Sequence, residues 1–218
     1  MRHLRAARLA AVALSASAAV LVPAAAHAEK VVTDDAVGDA KALNFASELG
    51  GGGEDEPLFL DAPAEASVDI TRTVVTHGKR VTVTTYFRDL VHLSEHSVDM
   101  RIFTPDARFS FSAARAEDGS TAALLHQDGV RAAEGPYVSR PCRSVRARYD
   151  VAADLVTASF PAKCVNEPRW IQVAVMASRF AVTPLDDGSI NLAGYGDDAF
   201  RGGLSENSRG RSPKVHRG

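Results

Sequence analysis

The sequence lacks the motifs by which several common enzyme classes are recognised. It contains no G-x-S-x-G nucleophile elbow, and no glycine-rich phosphate loop follows a strand and opens a helix. The four consecutive glycines at 50–53 therefore indicate a flexible linker and not a nucleotide site. These absences disfavour serine hydrolases and nucleotide-dependent enzymes, and we expect a protein that is not an enzyme.

Positive charge is scarce as well. The formal net charge of the 218 residues is −2, and it becomes −5 if residues 1–28, which include three arginines and no acidic residue, are removed. General nucleic-acid binding needs a basic field that displaces counterions from the phosphates. We therefore expect no nucleic-acid partner.

Only one stretch of the chain is long and uniformly apolar, and it lies at the N-terminus. Three arginines precede the apolar run 9–22, and Ala26-His27-Ala28 has the A-x-A cleavage pattern. The run is too short to cross a bilayer. We predict a signal peptide over residues 1–28, a secreted protein that is extracellular or associated with the cell wall, and no membrane span after cleavage.

Cysteine is limited to one pair, Cys142 and Cys164. In an exported chain such a pair most simply forms a structural disulfide, and the spacing is too wide for a reactive dithiol or a zinc pair. The apolar alternation around these cysteines predicts a hairpin with Ala147 opposite Ala158, which would leave the two sulfurs on different faces. A β-bulge near Pro161 is predicted to bring them together.

The clearest structural signal is the segment 68–90, which predicts one long β-hairpin. β-Branched and aromatic residues dominate both arms, and His77-Gly78-Lys79-Arg80 supplies the turn. With Gly78-Lys79 as the loop, three cross-strand pairs are predicted: Val74–Val83, Ile70–Phe87 and Thr76–Val81. A loop at His77-Gly78 is the alternative. A slip by one residue is disfavoured, because it would set Val74 opposite a threonine and turn one apolar face to water.

The rest of the chain continues this pattern of short strands separated by turn residues. Apolar alternation predicts strands within 97–103, 109–113, 142–164 and 169–180, with a short strand at 190–192. Such spacing is typical of an all-β fold, an antiparallel β-sandwich of the Ig-like or jelly-roll-like kind. We assign the sandwich domain to residues 66–200 and an acidic, partly flexible leader to residues 29–65.

The C-terminal residues 201–218 differ from the body in composition. Five basic residues stand against Glu206, a net charge of +4, and no apolar periodicity is present. This composition predicts a disordered basic tail. Such an end most simply aids solubility, and the alternative is a flexible basic arm that attaches the protein to an anionic cell-wall polymer.

One string has the form of a catalytic metal motif. His92-Leu-Ser-Glu95-His96 matches the H-x-x-E-H pattern of inverted zinc peptidases. That pattern binds zinc only on a helix, where positions four apart bring both imidazoles to one metal. Here it lies between two predicted strands, so we expect a polar connection and not a hydrolase site.

A cluster of aspartates near the start of the mature chain suits calcium better than catalysis. Asp34, Asp35 and Asp39 fall within six residues around a glycine, and clustered carboxylates repel unless a cation neutralises them. If the leader folds back onto the sandwich, these residues can meet Asp197 and Asp198. We expect a solvated acidic loop without a cofactor here, because acidic clusters are common on surfaces, and a structural Ca²⁺ site formed by Asp34, Asp35 and Asp39 is the alternative.

Several short segments resemble known proteins. Asp35-Ala-Val-Gly-Asp39 is similar to the D-x-x-G-D entry of family 9-like carbohydrate-binding modules, a resemblance that implies a structural calcium. A second resemblance involves three further segments: V-D-I-T-R-T at Val68 to Thr73, F-R-D-L at Phe87 to Leu90 and P-R-W at Pro168 to Trp170. Together with the D-x-x-G-D entry, they resemble small secreted β-sandwich proteins of unassigned function from actinobacteria. This second resemblance implies a fold and an exported location, not an activity.

Three functions follow as expectations. The first is a secreted, non-catalytic β-sandwich module that binds at the cell envelope, to a wall polymer, or to an extracellular protein. The second is a carbohydrate-binding module with a structural calcium, which requires exposed aromatic rings along one sheet face. The third is a metal-dependent hydrolase that uses His92, Glu95 or His96, which requires a helix at 91–97.

Overall fold

The computed structural model describes residues 28–45, 56–91, 95–116, 118–129, 142, 144–206 and 209–218. Two predicted features, namely residues 1–27 of the signal peptide and the glycine run at 50–53, lie outside the described residues. Among the described residues, no helix has the length and apolar character needed to cross a membrane.

The described chain is almost entirely β-structure. Its strands, in chain order, are β1 Glu29–Asp34, β2 Lys41–Leu43, β3 Phe59–Asp61, β4 Ile70–His77, β5 Arg80–Phe87, β6 His96–Phe103, β7 Arg108–Arg115, β8 Thr121–Gln127, β9 Arg146–Asp150, β10 Leu155–Pro161, β11 Trp170–Pro184, β12 Ile190–Asp198 and β13 Val215–His216. Two single 3-10 turns, Val151–Ala153 and Ala162–Val165, follow β9 and β10.

The strands form two antiparallel sheets that pack together. The smaller sheet has the order β1-β4-β5-β10-β9, and the larger has the order β3-β2-β12-β11-β6-β7-β8, with β13 paired to β11. Side chains alternate between buried and exposed along most strands, as expected where one face of each sheet contacts the core. The predicted all-β antiparallel sandwich is confirmed.

The core between the sheets is filled by aliphatic and aromatic side chains from both. Val81 and Phe160 come from the smaller sheet, whereas Ile102, Phe111 and Ile171 come from the larger one, and all five are essentially inaccessible to water. Buried apolar area of this kind is the main favourable term in folding. The inner faces therefore fix how the two sheets lie on each other.

The β4–β5 hairpin has a register one residue away from the predicted one. Val75, not Val74, lies opposite Val83, and Val74 lies opposite Thr84. Ile70 is nevertheless opposite Phe87, because the pairing shifts between Ile70 and Arg72. The predicted register was wrong over most of the hairpin because His77 and Val81 form the closing pair, which leaves three residues in the turn where two were predicted. The bulge between Ile70 and Arg72 then restores the predicted pairing of Ile70 with Phe87.

The leader contributes strands to both sheets. β1 pairs with β4 at the edge of the smaller sheet, and β2 and β3 extend the larger sheet beyond β12. β2 ends at Leu43, and residues 46–55 lie outside the described residues. The described leader is therefore part of the sandwich.

The disulfide between Cys142 and Cys164 is present, as predicted. Ala147 lies opposite Ala158, also as predicted. The expected β-bulge near Pro161 is wrong, because β10 ends at Pro161 and the 3-10 turn Ala162–Val165 carries Cys164 to its partner. This turn brings the two sulfurs together, although the pairing of Ala147 with Ala158 would by itself leave them on different faces of the hairpin.

Removal of this disulfide is expected to destabilise the protein by about 3 kcal/mol, because the bond closes a loop of 22 residues in the unfolded chain. The measurement is urea unfolding of the double variant Cys142→Ser and Cys164→Ser beside the wild type. Alkylation of the native wild type before reduction should add no label. Equal unfolding midpoints for the two proteins would contradict the prediction.

The C-terminal segment differs most from its prediction. Val215 lies opposite Ile171 in β11, and both side chains are fully buried. The Ser212 N–H donates to the Val173 carbonyl at 2.8 Å, and the Val173 N–H donates to Ser212 Oγ at 3.0 Å. The prediction of disorder is therefore wrong for residues 209–218. A two-residue strand is too short to produce a periodicity in the sequence.

Candidate metal centre and basic face

Three aspartates from separate parts of the chain meet where the two sheets join. Asp39 lies between β1 and β2, Asp69 immediately precedes β4, and Asp197 lies near the end of β12. One carboxylate oxygen of each residue lies within 4.8 Å of the others. Because β4 belongs to the smaller sheet and β12 to the larger, this aspartate cluster connects the two sheets.

Several oxygens of the cluster are buried and accept no hydrogen bond from the described residues. Both carboxylate oxygens of Asp39, Oδ1 of Asp69 and Oδ2 of the neighbouring Asp35 are in this state. Asp69 is fully buried; its other oxygen accepts a hydrogen bond from the Gly38 N–H at 2.8 Å and forms an ion pair with Arg88, whose Nε lies 3.1 Å away. A buried oxygen without a partner is unfavourable, and these atoms are therefore available to a cationic ligand.

The surroundings raise the pKa of every carboxyl group in this region. Burial is the main cause of a pKa of about 8 for Asp197, and the negative charges of Asp39 and Asp35 add to it. Burial likewise raises the pKa of Asp35 to about 7, with further contributions from Asp39, Asp198 and Asp69. The pKa values of Asp39, Asp69 and Asp198 are also raised, again mainly by burial. Ionised carboxylates are thus unfavourable here unless a cation accompanies them.

The donor set fits a hard divalent cation. All the available ligand atoms are carboxylate oxygens, which Ca²⁺ and Mg²⁺ prefer, and no cysteine or histidine belongs to the cluster. Ca²⁺ binds oxygens at about 2.3–2.6 Å, so oxygens on opposite sides of the ion are up to about 5 Å apart. Ca²⁺ also tolerates ligands from irregular loops, such as the one that carries Asp39. Asp39, Asp69 and Asp197 would hold such an ion, with Asp35 beside them.

The structure separates Asp34 from the other predicted calcium ligands. Asp34 is the last residue of β1 and lies opposite Arg72, with which it forms an exposed ion pair at 2.6 Å. Side chains alternate along a strand, so Asp34 and Asp35 point in different directions. Asp35 and Asp39 therefore belong to the region of the aspartate cluster, and Asp34 does not.

Asp197 and Asp198 have different roles although they are adjacent. Asp197 accepts a hydrogen bond from the Ile70 N–H at 2.8 Å and thus links β12 to β4. Asp198 accepts hydrogen bonds from the N–H groups of Phe200 and Gly210, at 3.1 and 2.7 Å. Asp197 is positioned as a ligand, whereas Asp198 holds the C-terminal segment in place.

Asp69 is the cluster residue that the sequence did not identify. It is a single carboxylate in Val68-Asp69-Ile70, where both neighbours are apolar and fully buried. The available signal was a charged residue at the entry to a buried strand, because an aspartate there needs a partner. Only the fold shows that Asp39 and Asp197 lie nearby.

The H-x-x-E-H string does not form a metal site in its described part. His96 begins β6, Glu95 lies in a turn, and His92 lies outside the described residues. The His96 ring is fully buried, with Nε2 at 3.0 Å from the Ser67 carbonyl and Nδ1 at 3.2 Å from the Tyr149 hydroxyl. A carbonyl only accepts, so Nε2 carries the proton and Nδ1 faces the hydroxyl. Both ring nitrogens therefore have partners.

His96 is expected to make stability depend on pH. Burial lowers the pKa of His96 from 6.5 to about 4, so the unfolded chain binds this proton more readily than the folded chain. The part of the free energy of unfolding that depends on a neutral, buried His96 is complete above pH 6.5 and is lost as the pH falls toward 4. The difference in free energy of unfolding between the wild type and His96→Gln should decrease by about 2–3 kcal/mol as the pH is lowered from about 7.5 to about 4.5. Urea unfolding at the two pH values measures this difference. A gap independent of pH would contradict a buried neutral imidazole.

The C-terminal segment carries exposed cations onto the outer face of the larger sheet. The guanidinium of Arg211 lies 3.9 Å from the centre of the Phe103 ring, and that of Arg108 lies 6.0 Å from the same point. The ammonium of Lys214 lies 4.4 Å from the Trp170 ring centre. We call Arg101, Arg108, Arg211 and Lys214 the basic face; all four are exposed, and none forms a salt bridge among the described residues.

Two of the aromatic rings on this face are covered by cations. Phe103 and Trp170 share the outer side of the sheet, but cations from the C-terminal segment cover both. Sugar recognition by stacking needs exposed aromatic planes. Phe180, on the same side of β11 as Trp170, is 44 % exposed, so the described residues offer a single open ring on this face and not a row of them. Tyr137 lies outside the described residues.

The chain matches no protein-family model, no curated protein and no solved structure. The resemblances to actinobacterial secreted proteins and to carbohydrate-binding modules therefore stay predictions. The aspartate cluster and the charged surfaces are the features of the described residues that bear on function.

Proposed function

We propose that this chain is an exported, non-catalytic β-sandwich module that binds one structural Ca²⁺ and attaches to an anionic polymer of the cell envelope. The observation that carries the proposal is the meeting of Asp39, Asp69 and Asp197, whose buried oxygens include three without a hydrogen-bond partner among the described residues. The sequence of the N-terminal segment supports export, and extracellular fluids supply calcium.

Calcium at this position would join the leader to both sheets. Asp39 follows β1, Asp69 leads into the central hairpin of the smaller sheet, and Asp197 belongs to the larger sheet. A ligand that binds only the folded arrangement stabilises it by mass action. The ion would also neutralise carboxylates that burial and mutual repulsion disfavour in their ionised form.

The basic face supports attachment to a polyanion. Arg108 and Arg211 lie near the same ring centre, at 6.0 and 3.9 Å, so their guanidinium carbons are at most about 10 Å apart. Like charges within about a Debye length repel, and a polymer with repeated negative groups relieves that repulsion. The covered rings of Phe103 and Trp170 give less support to the carbohydrate-binding alternative.

Co-sedimentation with purified cell-wall material tests the attachment. The wild type should pellet with the wall in millimolar calcium and dissociate as salt is raised, because exposed charge interactions are screened. The double variant Arg211→Ala and Lys214→Ala should bind the wall at least about fivefold more weakly. As a control, Lys30→Ala with Arg115→Ala removes the same charge elsewhere and should bind like the wild type. Equal binding by all three proteins, or no binding by the wild type, would contradict attachment through the basic face.

A further inference from the structure

A second charged feature, an open cleft of about 400 Å³, lies on the outer face of the smaller sheet. Arginines and hydroxyl-bearing residues from β5, β9, β10 and the segment before β9 line it: Arg80, Ser144, Arg146, Arg148, Thr157 and Ser159. Arg80 lies at the turn end of the β4–β5 hairpin, whereas Asp69 lies at the opposite end. The cleft is therefore separate from the aspartate cluster.

The arginines of the cleft are held at defined positions. Arg80 donates from Nε to Ser159 Oγ at 3.0 Å and from Nη2 to the Ser144 carbonyl at 3.1 Å. Arg146 lies directly opposite Ser159 in the β9–β10 pairing and forms no ion pair among the described residues. Ser159 thus has a guanidinium on each side, and residues opposite each other on neighbouring strands have Cβ atoms only about 5 Å apart.

The local charge around the cleft is positive although the chain as a whole is slightly acidic. No carboxylate is among the described residues that line it. Arg148 is paired with Asp150 at 2.9 Å, but Arg80 and Arg146 have no such partner in the described chain. Lys79 and Lys163 lie next to Arg80, because the Ala162 N–H donates to the Lys79 carbonyl at 3.0 Å. Converging cations without counter-charges favour a bound anion.

We propose that this cleft binds a tetrahedral oxyanion, the phosphate or sulfate group of an ester carried by an extracellular glycan. Guanidinium groups donate in a fork that matches phosphate and sulfate oxygens, and the hydroxyls of Ser159 and Thr157 lie between them. Donors that reach the ligand from β5, β9 and β10 suit a tetrahedral group, whereas one fork suffices for a planar carboxylate. The shallow, open site fits a group at the end of a larger molecule. This proposal does not depend on calcium binding.

Nuclear magnetic resonance titration of the purified protein with sodium sulfate, at constant ionic strength, tests the site. The Nε–H signals of Arg80 and Arg146 should move along one saturable curve, with a dissociation constant on the order of millimolar for a single small anion. Sodium acetate should give at least about tenfold weaker binding. A parallel titration with inorganic phosphate, without added calcium, distinguishes the two kinds of ester. Tighter binding of phosphate points to a phosphate ester, and tighter binding of sulfate points to a sulfate ester.

Two matched variants decide whether the cleft or general charge is responsible. Arg146→Ala should weaken sulfate binding at least about tenfold, a loss of about 1.4 kcal/mol, because it removes a donor to the anion. Arg72→Ala removes the same charge from an exposed position on β4, outside both the cleft and the basic face, and should bind sulfate like the wild type. Both variants should keep the wild-type circular dichroism and the response to calcium. Equal weakening in both variants, acetate binding as tight as sulfate, or no saturable shift would overturn the proposal.

Discussion

Millimolar calcium is expected to raise the melting temperature of this protein by about 3–10 °C. Extracellular calcium sites have dissociation constants on the order of 10⁻⁴ to 10⁻³ M, so about 10 mM free Ca²⁺ stabilises the folded state by about 1.4–2.7 kcal/mol. A domain of this size gains about 2–4 °C per kcal/mol. The measurement is thermal unfolding followed by circular dichroism, in chelator and in rising calcium.

Two aspartates five residues apart provide the variant and its control. Asp39→Ala removes a ligand whose oxygens have no hydrogen-bond partner among the described residues, so its melting temperature should not respond to calcium. In chelator the same variant should be at least as stable as the wild type, because a buried unpaired carboxylate has been removed. Asp34→Ala removes an exposed carboxylate outside the cluster and should keep the full calcium response. A calcium response in Asp39→Ala equal to that of the wild type would contradict the site.

Replacement of Val215 is expected to destabilise the protein by about 3–5 kcal/mol. Val215 is fully buried against Ile171, although it lies in the basic C-terminal segment. Val215→Asn removes apolar contacts and buries a side-chain amide in a site formed for an apolar side chain, without a hydrogen-bond partner. Both effects lower the free energy of unfolding. Urea unfolding at neutral pH gives the free-energy difference.

His216 is the matched control for this change, since it is the next residue on the same strand and is exposed. His216→Asn introduces the same side chain on the outer face and should change the free energy of unfolding by no more than about 0.5 kcal/mol. A segment that made no contact with the sandwich would tolerate both changes equally. That outcome would disprove the ordered C-terminal strand.

The features that the sequence predicted correctly are those with a local signal. The alternation in 68–90 identified a half-buried hairpin, and two cysteines in an otherwise cysteine-free chain identified their own partner. The hairpin register was wrong because neither the third residue of the turn, which follows from the closing pair His77–Val81, nor the bulge between Ile70 and Arg72 has a signature in composition. One extra residue in a strand reverses which side chains face the core.

The candidate site was only partly predictable for a similar reason. Asp35 and Asp39 stand out because acidic residues cluster around a glycine, and this short-range pattern pointed to calcium. Asp69 and Asp197 meet through the packing of one sheet on the other, across more than a hundred residues of sequence, which no local pattern encodes. The C-terminal segment was misjudged because its arginines and glycines outnumber the single valine that anchors it.

Direct measurement of calcium binding tests the central claim most simply. Equilibrium dialysis of the purified protein against calcium, at constant ionic strength, should show one saturable Ca²⁺ per chain with a dissociation constant on the order of 10⁻⁴ to 10⁻³ M. Asp39→Ala and Asp197→Ala should each weaken that binding at least about tenfold, while Asp34→Ala should bind like the wild type. No saturable binding by the wild type, or equal binding by all four proteins, would contradict a calcium site formed by Asp39, Asp69 and Asp197.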